Sequence, residues 1–293
     1  MLPRDGKGDS LNLKERLAFT FRDSVAMENP YLKLHGEFRT AGADVLLSSG
    51  QACVVFGIAA FSKDGDWIIR ENARTCSAVL GVLSARGAAY RLGVPLHPDW
   101  LRLGQTSHFE FQAPEGLRMR TDFCSRPPRV PDVERMWKRA LRTEDVDLVD
   151  VESLVLLKQT RRLRDYAMVG ALAEVAGLDG QAPELALDYL QDYELLSKAV
   201  RKWPDDAAGC ERKAVRLLLA RAPRPDVVAA IAIEQDAKMQ EDQARIEAMQ
   251  ERFAPYAREF AKLRIAWRRE RAPLMEQHKQ LMVAARVLLG GEQ

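Results

Sequence analysis

Residues 125–132 read "SRPPRVPD" and hold Pro127, Pro128 and Pro131. Proline has no N–H to donate and a fixed φ, so such a run continues neither a central strand nor a helix interior. The chain must change architecture here. Before the run, short apolar segments alternate with helical patterns; from Val133 onward the periodicity is almost wholly helical. The expected fold class is therefore α+β, a mixed sheet with flanking helices followed by an all-helical C-terminal region. The expected division is 1–150 and 151–293, the second part ending in a long helical arm.

Within the first part, Leu13, Leu17 and Phe21 recur every four residues and predict a helix. A second helix is expected from about Tyr31 to Thr40. "VLLSSG" reads as a buried strand broken by a turn. "QACVVFGIAA" fits helix or strand, and the preceding Ser-Gly turn favours a helix of about two turns. "DWIIR" reads as a strand, "ENARTCSAVLGVLSARG" as a helix closed by Gly87, and "HFEFQ" and "LRMRTDF" as strands joined by "APEG". Beyond the prolines, helices are expected over 133–141, 151–176, 183–202, 209–221 and 226–271, then from Pro273 to Leu289. Ile246, Met249, Phe253, Tyr256, Phe260, Leu263 and Trp267 form a heptad seam that must pack on another helix. Pro255 falls inside this seam and should kink or split the helix.

At 293 residues and 47% hydrophobic content the chain can bury a sizeable core. Its 44 Lys and Arg nearly balance 42 Asp and Glu, so any basic surface must be local. One candidate lies at 252–271, where seven basic residues meet only Glu259 and Glu270. It reads as a solvated face, or as a surface for nucleic acid, an acidic partner or helix-mediated self-association. Cys53, Cys76, Cys124 and Cys210 lie far apart and read as reduced. No apolar run is long enough for a membrane span and the N-terminus lacks a signal-peptide core, so a cytoplasmic protein without membrane contact is expected.

Divalent cations in phosphoryl chemistry need hard oxygen ligands converging on one point, and carboxylates at i and i+2 of a strand share a face. Asp64 and Asp66 meet that condition, and Asp122 ends a strand that can lie beside them. The Ser49-Gly50 turn can offer backbone N–H groups to a phosphate, and Lys63 adds a neighbouring cation. The plain alternative makes "SKDGDW" a solvated turn in which Lys63 and Gly65 supply turn chemistry. His108 lies on a strand near the acids and reads first as a hydrogen-bonded structural histidine, with proton transfer or substrate contact as the other reading. His35, His97 and His278 carry no partner pattern. Asp145, Asp147 and Asp150 lack the glycine and glutamate of a calcium loop and read as a solvated helix entry.

In this order, strand, Ser-Gly turn, helix, DxD strand and a later acid-ending strand, the sequence resembles the nucleotidyltransferase-fold superfamily. "VDVESLVLLKQTRRLRDYAMVGAL" resembles the helix that follows the catalytic domain in AbiEii-like minimal nucleotidyltransferases, which typically carries a lysine, an arginine and an aspartate. Lys158, Arg161 or Arg162, and Asp165 stand at those places. The resemblance implies a nucleotidyltransferase-like sheet over 1–150, with Asp64, Asp66 and Asp122 as catalytic and metal residues and Ser49, Gly50, Lys63 and Lys158 against the nucleotide. It implies Mg²⁺ as cofactor, an NTP as substrate, an RNA, protein or small-molecule hydroxyl as acceptor, and a possible toxin role. The alternative is a catalytically silent protein of that fold whose helical arm binds a partner or nucleic acid. Two features bear on this reading: Ser49 must take a backbone conformation that glycine adopts more readily, and Lys158 can equally be a solvated lysine on an amphipathic helix.

Overall fold

The structure is a computed structural model that describes residues 29–114 and 116–288. The expected helix around Leu13, Leu17 and Phe21 lies outside the described residues.

Asn29 opens helix α1 (Pro30–Thr40), its side chain accepting from the Tyr31 N–H and Pro30 taking the first turn. Strand β1 (Val45–Ser48), fully buried, runs directly into helix α2 (Ser49–Val55). Then come β2 (Asp64–Ile69), α3 (Ala73–Ala85), β3 (Ala89–Gly93), α4 (Pro98–Arg102), β4 (Ser107–Gln112) and β5 (Arg118–Cys124). Gly87, at φ +65°, stands two residues beyond α3, where a left-handed residue ends a helix without Cβ strain. β3 and α4 are not visible in the sequence pattern. β3 is short and carries an irregularity between Tyr90 and Leu92, and α4 is a single turn capped by His97.

The sheet does not end at the prolines. After α5 (Val133–Arg139), the two-residue strands β6 (Leu141–Arg142) and β7 (Asp147–Leu148) extend it, giving the order β3-β4-β5-β2-β1-β7-β6. β7 pairs parallel with β1 through Leu47 and Leu148. Of the acids read as a solvated helix entry, Asp145 is exposed as expected, but the other two are buried. Asp147 lies buried in β7, and Asp150 is buried as the cap of α6 (Val151–Leu157), accepting from the Ser153 N–H and hydroxyl.

The single helix expected over 151–176 is broken. α6 ends at Leu157 with Lys158 as its cap, and α7 (Leu163–Ala173) starts after Gln159 to Arg162 and passes into a π-helical turn, Glu174–Asp179. The expected helix over 183–202 is likewise two, α8 (Pro183–Tyr189) and α9 (Tyr193–Lys202), with Asp192 capping the second. α10 (Pro204–Gly209) and α11 (Lys213–Leu219) lead to α12 (Arg224–Glu270), 47 residues that stay helical through Pro255. Pro255 therefore does not split the helix; it lies on the exposed side, where the i−4 carbonyl that loses its donor can turn to water. α13 (Leu274–Ala284) and a 3₁₀ turn (Ala285–Leu288) complete the described chain. Among the described residues no helix is long and apolar enough to cross a membrane, and all four cysteines are free.

Two apolar clusters hold the molecule. The larger joins both sides of the sheet with Leu154, Val155 and Val169, and with Tyr256, Phe260, Trp267, Leu274 and Leu281 from the C-terminal helices. The smaller joins α7 to α11 with Val227, Ala230 and Ile231 of α12. The heptad seam thus packs on α13 and also on the sheet edge: Tyr256 donates to the Gly93 carbonyl at 2.8 Å, and Trp267 to Gln280 at 2.7 Å. Met249, at the far end of the seam, is exposed.

Candidate active site

The β2 residues Trp67 and Ile69 turn to a fully buried face where Trp67 stacks on Phe123, while Asp64 and Asp66 take the opposite, half-buried face. β5 pairs with β2 in parallel so that Asp64 faces Arg120 and Asp66 faces Asp122. β4 adds His108 opposite Asp122. Register alone thus lines up Asp66, Asp122 and His108 across three strands on one face, with Asp64 two residues along.

The electrostatics follow from that placement. Burial above all, then the charge of Asp122 and less that of Asp64, push the Asp66 carboxyl up to about 6 against the opposing effects of Lys158 and a hydrogen bond from Ser49. Burial would raise Asp122 too, but its contact with His108 Nδ1 at 2.8 Å and with Arg91 at 3.0 and 3.3 Å outweighs it and holds the carboxyl below the usual range. Asp64 lies 3.9 Å from Arg120, and its Oδ1 is buried without a hydrogen-bond partner.

Ser49 has φ 51°, the left-handed conformation that the turn requires of it. Gly50 is constrained by space instead, since a Cβ there would lie 2.2 Å from Ser62 Oγ in the loop that leads to Asp64. Lys63 is exposed, and its carbonyl accepts from the Tyr31 hydroxyl at 2.6 Å.

Lys158 is not a solvated lysine. It is 3% exposed, at the end of α6, with its Nζ 3.9 Å from Asp165 and its charge acting on Asp66. Asp165, itself buried, accepts from Thr160 at 2.5 Å and from Arg162 at 2.8 Å. The two arginines have separate tasks: Arg162 pairs with Asp165, whereas Arg161 turns to α12, its N–H donating to Asp242 and its guanidinium to Gln243.

The orphaned Asp64 Oδ1 and the hard-oxygen pair on one strand face fit a divalent cation on β2. Asp122 is already compensated by Arg91 and His108, and among the described residues no group of three or more His, Cys, Asp or Glu side chains is drawn together as a metal cluster. Arg91 and Arg120 are site residues that sequence reasoning overlooked. Strand alternation in "RMRTDF" places Arg118, Arg120 and Asp122 on one face, a readable signal; Arg91 sits at the β3 irregularity and gives none. No protein-family model matches this chain, and no curated protein matches it.

Proposed function

We propose that the protein is a divalent-metal-dependent nucleotidyltransferase that moves a nucleotidyl group from an NTP to a hydroxyl on RNA, protein or a small molecule. The observation that carries this reading is the β2–β5 register, which sets Asp66 beside Asp122 on the face that Asp64 shares, with the charge of buried Lys158 acting on Asp66. Asp64 and Asp66 would hold Mg²⁺, which when bound supplies positive charge to the triphosphate and to the leaving pyrophosphate. Lys158 and the Ser49-Gly50 turn bind and orient the phosphates. Asp122 faces the acceptor, and its contact with His108 provides a place for the hydroxyl proton. As the acceptor oxygen bonds to the α-phosphorus, the bond from that phosphorus to pyrophosphate breaks.

One observation favours the alternative of a catalytically silent binding protein: both Asp122 oxygens are engaged by Arg91. Incubating the full chain with each α-labelled NTP, Mg²⁺ and total cell RNA or lysate separates the two. Transfer of label that is lost in Asp64→Ala/Asp66→Ala is expected. Nucleotide binding without label in any fraction would favour the silent protein.

A further inference from the structure

The face that presents Asp64, Asp66 and Asp122 continues sideways as a row of arginines. On β5, Arg118 and Arg120 precede Asp122 at two-residue steps, while Met119, Thr121 and Phe123 are fully buried on the other side. Opposite them on β4 stands Glu110, which meets Arg118 and, from one side of α12, Arg264 at 3.5 Å and Arg268 at 4.0 Å. One carboxylate serves three guanidinium groups, so the cluster keeps an excess of two positive charges. Arg118 and Arg268 remain more than half exposed, at 55% and 67% of their side chains. The same α12 residues, with Trp267 and Arg271, line a cavity of about 360 Å³ beside the sheet edge.

We infer that this row, Arg120, Arg118, Arg264 and Arg268, is the track for the phosphodiester backbone of a nucleic-acid acceptor entering the carboxylate face. Guanidinium forks recognise phosphate bidentately. Strand and helix geometry spaces them regularly: two residues of strand span about 6.6 Å, and one i,i+4 step of helix about 6 Å. Arg120, beside Asp64, joins the row to the site. The inference rests on the transferase reading for what the strand does there, but its binding test does not.

The test is fluorescence anisotropy of a labelled single-stranded oligouridylate with the full chain across a salt series, beside calorimetry of Mg²⁺-NTP. Arg118→Gln/Arg264→Gln/Arg268→Gln should weaken RNA binding about tenfold or more and reduce the salt slope by roughly two, at about 0.7 per lost single-strand phosphate contact. NTP affinity should not change. Glu110→Gln should act in the opposite direction, tightening RNA binding, because it frees the arginines; a merely structural cluster gives no tightening. Unchanged RNA affinity and slope in the folded triple variant would overturn the inference, as would competition by polyglutamate as strong as by RNA, which would assign the row to an acidic protein. RNA binding without Mg²⁺-NTP binding would instead keep the track and remove the transferase reading.

Discussion

Asp66 concentrates the physical tension of the site, because a carboxylate among carboxylates is held on a half-buried sheet face. Its ordinary value of 3.8 rises to about 6, so between these values the folded protein keeps a proton that the unfolded chain has lost. The stabilisation is complete below about pH 4 and is lost as pH climbs through about 6. Asp66→Asn stays neutral throughout; it should therefore gain on wild type by roughly 2 kcal/mol between pH 4 and pH 7.5. Urea unfolding at those two values checks this, and a difference independent of pH would contradict it. Lys158→Met removes the countercharge but keeps the apolar stem. It should weaken NTP binding and affect a nucleoside without phosphates much less, as titration of both ligands reads directly; equal NTP affinity would take Lys158 out of the site. The carboxylate pair is legible because DxD on a strand is a local pattern, whereas Lys158 is singled out only by the resemblance, its place on an amphipathic helix fitting a solvated lysine equally well. The clamp of Arg91 and His108 on Asp122 is not legible, since it depends on which strands become neighbours.

The elements that sequence patterning locates are those long enough to show a period: α1, α3, β4, β5 and α12 lie where the alternation of apolar residues places them. Two-residue strands such as β6 and β7 have no period to read. The break between α6 and α7 carries no glycine or proline; it is set by polar ties from Thr160 to Asp165 and from the Arg161 N–H to Asp242, a partner 81 residues away. Docking of α13 on β3 is equally nonlocal. Gln277 accepts from the Tyr90 N–H at 3.0 Å, and His278 Nδ1 meets the Tyr90 hydroxyl at 2.8 Å. Burial, with a smaller contribution from His97, lowers His278 from 6.5 to about 4. A depressed histidine keeps the folded state proton-free while the unfolded chain takes up a proton, so its stabilisation is present above about 6.5 and is lost as pH falls toward 4. Buried His35 is lowered to about 4 and adds the same sign; Asp66 opposes both over part of the range. Comparing His278→Asn with wild type isolates one contribution. The variant's stability deficit at pH 7.5 should shrink by pH 5, and a deficit that grows on acidification would refute the assignment.

Across the whole molecule, α12 is the beam that ties the two apolar clusters. Its 47 residues span about 70 Å at 1.5 Å per residue. Val227, Ala230 and Ile231 sit in the helical cluster, whereas Tyr256, Phe260 and Trp267 belong to the one built around the sheet. Most of the intervening stretch is exposed, with buried Asp242 tied to Arg161 and Arg245 near its middle. The sequence pattern shows the seam and predicts a helix against it but not the sheet edge that it also covers, because a heptad stripe packs equally well on either. The partner decides what can fold alone. A fragment ending at residue 150 keeps all seven strands but exposes what Tyr256, Phe260, Trp267, Leu274 and Leu281 cover, and loses the contacts of Tyr90 with α13 and of Trp100 Nε1 with the Ala285 carbonyl at 3.2 Å. Truncating a single buried aromatic costs about 3–5 kcal/mol, comparable to much of a domain's stability of 5–15 kcal/mol. Residues 1–150 alone should therefore lack a cooperative unfolding transition and near-ultraviolet dichroism, while Trp267→Ala in the full chain should unfold cooperatively at a lower urea midpoint. If the fragment unfolds cooperatively with the midpoint of the full chain, the sheet is self-sufficient and α12 is only an appendage to it.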